Sequence, residues 1–174
     1  SLRNMRHVVQ APSRAIAAGE SVPFETAALP HYAGLVRRLT LVLGDLDDAQ
    51  DVAQETYLRA HRSWTRFEGE DVRAWLYTIG LRLAFNRLRS RRRWLVAVRR
   101  VEPKAWPDHV DPDLAGALAG LRPEVRSAIL LTVVDGYTHG QAAAIMQVPV
   151  GTLSSWVSRG LAGLREILGP DPAG

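Results

Sequence analysis

The chain has 174 residues, room for one medium domain or two small ones, and 47% apolar residues suffice for a buried core. It contains no cysteine, which excludes disulfides, thiolate chemistry and cysteine-based zinc sites, and no apolar run approaches the length of a membrane span. The formal charge is only +4, yet it is segregated: seven arginines crowd residues 87–100, while Asp45, Asp47, Asp48, Asp51 and Glu55 crowd another stretch. Such segregation predicts two different partners, one polyanionic and one basic. Twenty-one of the 22 basic residues are arginine, a side chain that makes forked contacts with phosphate, although a GC-rich genome yields the same bias.

Residues 1–22 read as a loose N-terminal tail, without sustained periodicity and lacking the apolar core of a signal peptide. From Phe24 the pattern is helical. Tyr32, Leu35, Val36, Leu39 and Leu43 recur at helical spacing until Gly44 stops the run. In "DDAQDVAQETYLRAHR", Ala49, Val52, Ala53, Thr56 and Ala60 fall on one face. Asp48, Asp51, Glu55, Arg59 and Arg62 step along the opposite face. The loop "TRFEGED" leads to a third helix with Asp71 as its N-cap and Val72, Trp75, Leu76, Ile79 and Leu83 as its buried stripe. That helix runs into "FNRLRSRRRW", which holds five arginines and no acid. A run this basic repels itself and is commonly a solvated face unless a partner supplies negative charge.

"VEPKAWPDHVDPDL" carries three prolines and mixed charge and reads as a linker, residues 101–113. After it, Asp113 is placed to cap a short helix carrying Leu114, Leu118 and Leu121. Pro123 suits the first turn of a helix that runs to Val134. In "YTHGQAAAIMQVPVGTLSSWVSRGLAGLREIL", Thr138 and Gln141 fit a capping box. A short helix, Gln141 to Met146, is cut by "QVP", and a longer helix begins near Val150 with Leu153, Val157, Leu161, Leu164 and Leu168 on one face. Short helix, tight turn and longer helix form the helix-turn-helix arrangement, whose second helix enters the major groove. A plain helical hairpin is the competing reading, and Gly160 and Gly163 each weaken the second helix by about 1 kcal/mol relative to alanine. No segment alternates as a half-buried strand does. The fold class is all-α, with two small helical domains at 23–100 and 114–169 joined by a flexible linker, and a C-terminal tail at 170–174.

The order of these parts resembles the extracytoplasmic-function (ECF) group of bacterial RNA polymerase sigma factors, which keep only the sigma-2 and sigma-4 domains. "GDLDDAQDVAQETYLRAHRSWTRFEGEDVRAWLYTIGLRLAFNRLRSRRR" is similar to sigma-2, and "LAGLRPEVRSAILLTVVDGYTHGQAAAIMQVPVGTLSSWVSRGLAGLRE" to sigma-4. The resemblance implies a cytoplasmic, non-enzymatic protein without cofactor or metal, whose partners are core RNA polymerase (the β′ clamp helices and β) and promoter DNA, both as duplex and as non-template single strand. Asp48, Asp51, Gln54, Glu55 and Arg59 would face the clamp helices, where charge complementarity favours fast docking. A solvated helix face with an Arg59–Glu55 pair is the plainer account of the same residues.

For the −10 element, the resemblance assigns phosphate contacts to Arg89, Arg91, Arg92 and Arg93, and approach to bases to Arg82 and Asn86. Single-strand binding combines such positive surface with stacking or pocketing of bases. The loop with Arg66 and Phe67 corresponds to the one that captures a flipped base. Phe67 reads as core or as stacking platform, Trp64 and Trp75 as core. For the −35 element, the matching residues are Thr152, Ser154, Ser155, Trp156 and Arg159. Here the chain departs from its family: Ser154, Ser155 and Trp156 replace the usual basic start of the recognition helix, Leu161 a second cation, and His139, Gly140 and Gln141 the usual tyrosine and two acids. In sigma-2, Arg82 replaces a common asparagine and Asn86 a common aspartate. Weak or unusual −35 recognition is therefore expected, since phosphate contacts alone position without specifying sequence. Trp156 is open to three readings: contact with a thymine methyl, contact with an inhibitory protein, or packing inside the domain. An anti-sigma protein is expected on resemblance alone.

A stand-alone helix-turn-helix regulator is the alternative, but it would have no need of the acidic helix. An enzyme is disfavoured. "DLDDAQD" is similar to a calcium loop, but Gln50 stands where glycine is required and Thr56 where glutamate is required. HExxH, GxSxG and P-loop motifs are absent, and His7, His31, His61, His109 and His139 lack ligand spacing.

Overall fold

Pro23 fixes the entry to α1 (Phe24–Ala28), a short helix that buries Phe24 and Ala28. The computed structural model describes residues 22–97 and 112–169, and all elements among them are helical. The tail 1–21, most of the expected linker and residues 170–174 lie outside the described residues. A 3-10 turn at Leu29–His31 leads into α2 (Tyr32–Leu43), which buries Leu35, Leu39 and Val42 and ends at Gly44 as its spacing predicts.

Asp45 starts α3 (Leu46–Ser63): its Oδ1 accepts the Asp48 N–H at 2.9 Å, a cap worth about 1 kcal/mol. The buried face of α3 is Ala49, Val52, Ala53, Thr56 and Ala60, as read from the sequence. These small residues bring α3 close to α2 and α4, and the Thr56 hydroxyl bonds back to the Val52 carbonyl at 2.7 Å. The expected cap of α4 (Val72–Ala97) is present, with the Ala74 N–H donating to Asp71 Oδ1 at 2.9 Å. The stripe predicted for α4 is only partly the buried one. Val72 and Leu76 are buried, but so are Tyr77, Leu81 and Ala84, whereas Trp75, Ile79 and Leu83 are half-buried. The face is broad because α4 packs on α2 and α3 on one side and on α7 on another.

The second half comprises α5 (Pro112–Ala119), α6 (Pro123–Ile129), α7 (His139–Met146) and α8 (Val150–Leu168). Pro112 opens α5, so Asp113 sits in its first turn and is not its cap. Pro123 is at the start of α6, as expected, but the helix does not stay α to Val134. Leu130–Val134 form a π turn whose widened ladder is closed by the Asp135 N–H to the Leu130 carbonyl at 3.0 Å. Gly136, at φ 77°, then reverses the chain in a left-handed conformation that a side chain rarely tolerates.

Gly160 has a packing role that its low helix propensity concealed. A Cβ there would lie 2.5 Å from Ile129 Cδ1 and 2.6 Å from Val125 Cγ1, so the glycine sets the approach of α6 to α8. The two domains pack against each other. Leu35, Leu39 and Val42 of α2 belong to one core with Ala128 and Leu131 of the α6 segment and Leu153 of α8.

Candidate nucleic-acid interface

The side of α3 opposite its buried alanines presents the residues expected to face a protein partner. Asp51, Gln54 and Arg59 are exposed, while Glu55 is half-buried and binds Arg59 at 2.6 Å. Asp48 is differently placed. Arg87 Nε donates to its Oδ1 at 3.0 Å, and Arg91 Nη1 lies 3.5 Å from its Oδ2. Arg87 also reaches Asp51 Oδ2 at 3.3 Å. The hydrogen bond to Asp48 is the largest cause raising the Arg87 pKa above its usual value. The acidic helix and the basic helix are thus stitched to each other, which segregation along the sequence did not reveal. Each such exposed pair is worth about 0–1 kcal/mol, so the stitching orients more than it stabilises.

This contact sorts the arginine block by face. Arg87 and Arg91 turn toward α3. Arg82, Asn86, Arg89 and Arg93 step by four, three and four residues along a second face, and all four are exposed, as is Arg92. Arg89 bonds to Asn86, and Arg93 Nη2 donates to Ser90 Oγ at 3.2 Å. Of the four arginines expected at phosphates, Arg91 is therefore the one turned away, onto Asp48.

At the other end of α4 the loop is held by rings. Phe67 lies 4.5 Å from Trp75 and 5.5 Å from Trp64, both stacked, and the two tryptophans are 6.0 Å apart. The three rings form one triangular cluster over Phe24, Ala60 and Leu76, in line with the core reading of Trp64 and Trp75. Phe67 is half-buried in it, and Gly69 folds across the ring, where a Cβ would come within 2.8 Å of Phe67 Cε2. Arg66 is exposed beside it.

In the helix-turn-helix, the capping box forms with both bonds: the Gln141 N–H to Thr138 Oγ1 at 3.2 Å and the Thr138 N–H to Gln141 Oε1 at 2.9 Å. The turn passes through Gln147 at φ 56°, a left-handed conformation in a residue other than glycine. Leu153, Val157 and Leu164 anchor α8. Ser155 and Arg159 are exposed, and Thr152 and Ser154 half-buried. Ser154 Oγ lies 2.9 Å from His139 Nδ1, a pairing of the two helices that the sequence reading missed. Trp156 packs against both the main core and the α5–α6–α8 cluster, which favours the packing reading of this residue over the two contact readings.

The sequence reading also missed a set of long-range polar contacts between the two halves. Arg38 Nη2 pairs with Asp135 Oδ1 at 2.6 Å, with side chains only 14% and 6% exposed. Arg73 donates to the Tyr137 hydroxyl at 2.9 Å and to the Asp135 carbonyl at 3.2 Å. Arg126, 6% exposed, donates to the carbonyls of Leu41, Val42, Ala119 and Leu121 at 2.9–3.0 Å. Burial lowers the Arg126 guanidinium to about 10, so it remains charged at neutral pH. Arg126 lies among the apolar positions of α6 with nothing local to mark it, and its α2 acceptors are 84 and 85 residues away.

Two family models match this chain: Sigma-70 region 2 over residues 26–94 and Sigma-70, region 4 over residues 113–164. The ECF RNA polymerase sigma factor SigC of Mycobacterium tuberculosis is 32% identical over 149 residues, covering 78% of each chain. The chain belongs to the ECF sigma factors. In this ECF sigma factor, region 2 takes in the described helices α1–α4 and region 4 the helices α5–α8. The chain is also 29% identical to the ECF sigma factor SigE of Mycolicibacterium smegmatis, spanning 64% of that relative's length. Among solved structures it is similar to the sigma factor RpoE in complex with the anti-sigma factor NepR from Bartonella quintana, with TM-score 0.73, 28% identity, and coverage of 85% of this chain and 98% of that one. No helix among the described residues is long and apolar enough to cross a membrane.

Proposed function

We propose that this chain binds core RNA polymerase, carries it to promoters by recognising −10 and −35 elements, and starts transcription there. The observation that carries the reading is the joint presence, in one region-2 body, of an exposed acidic face on α3 and an exposed basic stripe on α4. A stand-alone regulator needs the helix-turn-helix alone. Asp51, Gln54, Glu55 and Arg59 form the surface for the β′ clamp helices, with Asp48 at its edge holding Arg87 and Arg91 in place. Arg89, Arg92 and Arg93 take phosphates, and Arg82 and Asn86 approach the bases. The loop at Arg66 captures an unstacked base, with Phe67 acting through its packing on Trp75 to fix the loop. Thr152, Ser155 and Arg159 address the −35 duplex, with Ser154 held by His139.

On this reading melting is driven by binding: capture of the non-template strand offsets the unpairing of the duplex. The protein works in the cytoplasm, without catalytic residues, cofactor or metal. An anti-sigma protein is a fitting regulator, as in the RpoE–NepR pair. The test is co-elution with purified core polymerase in size-exclusion chromatography. The parent chain should co-elute, and Gln54→Arg, at an exposed position, should weaken association at least tenfold while leaving the melting temperature unchanged. Equal association of both would remove α3 from the docking surface.

A further inference from the structure

The arginine block of α4 has two faces, and Asp48 decides which of them is positively charged. At about 100° per residue, Arg87 and Arg91 lie about 150° round the helix from the stripe of Arg82, Asn86, Arg89 and Arg93. Both turn onto α3. Arg87 Nε donates to Asp48 Oδ1 at 3.0 Å, Arg87 Nη2 reaches the same oxygen, and Arg91 Nη1 lies 3.5 Å from Asp48 Oδ2. Each oxygen of this one carboxylate thus holds a different arginine, and the Asp48 side chain is only 21% exposed, against 63% for Asp51.

Charge balances on this side of α4 and not on the other. Arg87 and Arg91 meet the carboxylates of Asp48 and Asp51. Among the described residues, no ion pair engages Arg82, Arg89, Arg92 or Arg93, and the bonds of Arg89 and Arg93 go to the neutral Asn86 and Ser90. Each uncompensated cation that neutralises a phosphate releases a counterion, and that release drives sequence-independent binding. An arginine already neutralised by a neighbouring carboxylate contributes little to it. Without Asp48, this half of α4 would be basic on both sides, and phosphates would settle on either. Such contacts position the duplex without reading it. The residues assigned to bases, Arg82 and Asn86, stand on the uncompensated side alone.

We propose that Asp48 is a positioning residue for DNA reading: by holding Arg87 and Arg91 against α3, it confines DNA to the Arg82–Arg93 face of α4 and suppresses sequence-independent binding on the opposite side. The inference deepens the sigma reading above and rests on it. Asp48 acts through the two arginines and not by touching DNA itself. Its effect is therefore on how many cations phosphate meets, and on which side, rather than on any base contact.

The test is a salt titration of the free full-length chain on a fluorescein-labelled duplex of random sequence, read by anisotropy. Asp48→Asn frees Arg91 while Arg87 keeps Asp51. The start of α3 survives the change, because the Asp45 cap uses the backbone N–H of residue 48. The variant should bind the random duplex about fivefold tighter at about 0.1 M salt and steepen the slope of log affinity against log salt by about 0.9, one further cation on phosphate. Adding Arg91→Gln to it should restore the parent slope, and Asp48→Glu, which keeps the charge, should never lose it. Glu25→Gln makes the same change in net charge on α1, which packs with Val72 and Leu76 at the other end of α4. That end is about 22 Å along the helix from Arg91, beyond the screening length, so affinity should shift less than about twofold. An unchanged slope in Asp48→Asn, or an equal shift from Glu25→Gln, overturns the role of Asp48 and leaves the sigma reading intact. Failure of the parent chain to co-elute with core polymerase overturns the sigma reading, and the proposal with it.

Discussion

The two surfaces proposed to read DNA are built on opposite principles. Region 2 exposes Arg82, Arg89, Arg92 and Arg93 on one long helix, whereas the first half of α8 exposes Ser155 and Arg159 and ties Ser154 to His139. Phosphate neutralisation supplies a large share of a nucleic-acid binder's affinity and makes that affinity salt-dependent. On the proposed reading, region 2 supplies most of the binding energy, and region 4 contributes orientation and a few short polar contacts. Cation-poor recognition suits a reader whose partner domain already holds the DNA.

The sharpest way to break this asymmetry is to neutralise the stronger side. Replacing Arg89, Arg92 and Arg93 by glutamine should weaken promoter binding by the core-bound protein about a hundredfold and reduce the slope of log affinity against log salt by about 2. A salt titration of binding reads both. Region 4 can be attacked separately through its packing. Gly160→Ala forces a methyl into the α6–α8 contact and should cost about 1–3 kcal/mol in urea unfolding, with the acidic face of α3 unaffected.

The comparison can also be sharpened by giving region 4 what it lacks. Ser155→Arg adds a cation at an exposed position of α8 and should steepen the salt slope by about 0.9 and tighten binding several-fold. No change would mean that this face of α8 does not approach the duplex. The smallest effect is expected at the turn. Gln147→Gly relieves the left-handed backbone and should stabilise the chain by about 0.5–1 kcal/mol, a rise of about 2 °C in thermal melting.

What the sequence disclosed divides along physical lines. Helix identity, the small-residue face of α3, the Asp71 cap and the Thr138–Gln141 box were legible because each depends on neighbours within a turn or two. The family likeness was legible from the order of those parts. The split of the arginine block was not, because it is decided by Asp48, 39 residues before Arg87. The Arg38–Asp135 pair, 97 residues apart, left no local trace either. Gly160 was misread as a weakness because propensity sees only the helix it sits in, while its reason is a neighbouring helix. The π turn that carries the chain into Asp135 likewise has no periodic signature in "LLTVV".

The most direct measurement is in vitro transcription with purified core polymerase on a pool of promoter fragments, with and without this protein. The account predicts new start sites at defined positions, sharing a −10 motif that is stronger than the −35 motif, because the start of α8 exposes few side chains able to read base edges. DNA binding without core association or redirected initiation would contradict it, and would leave a stand-alone helix-turn-helix regulator in its place.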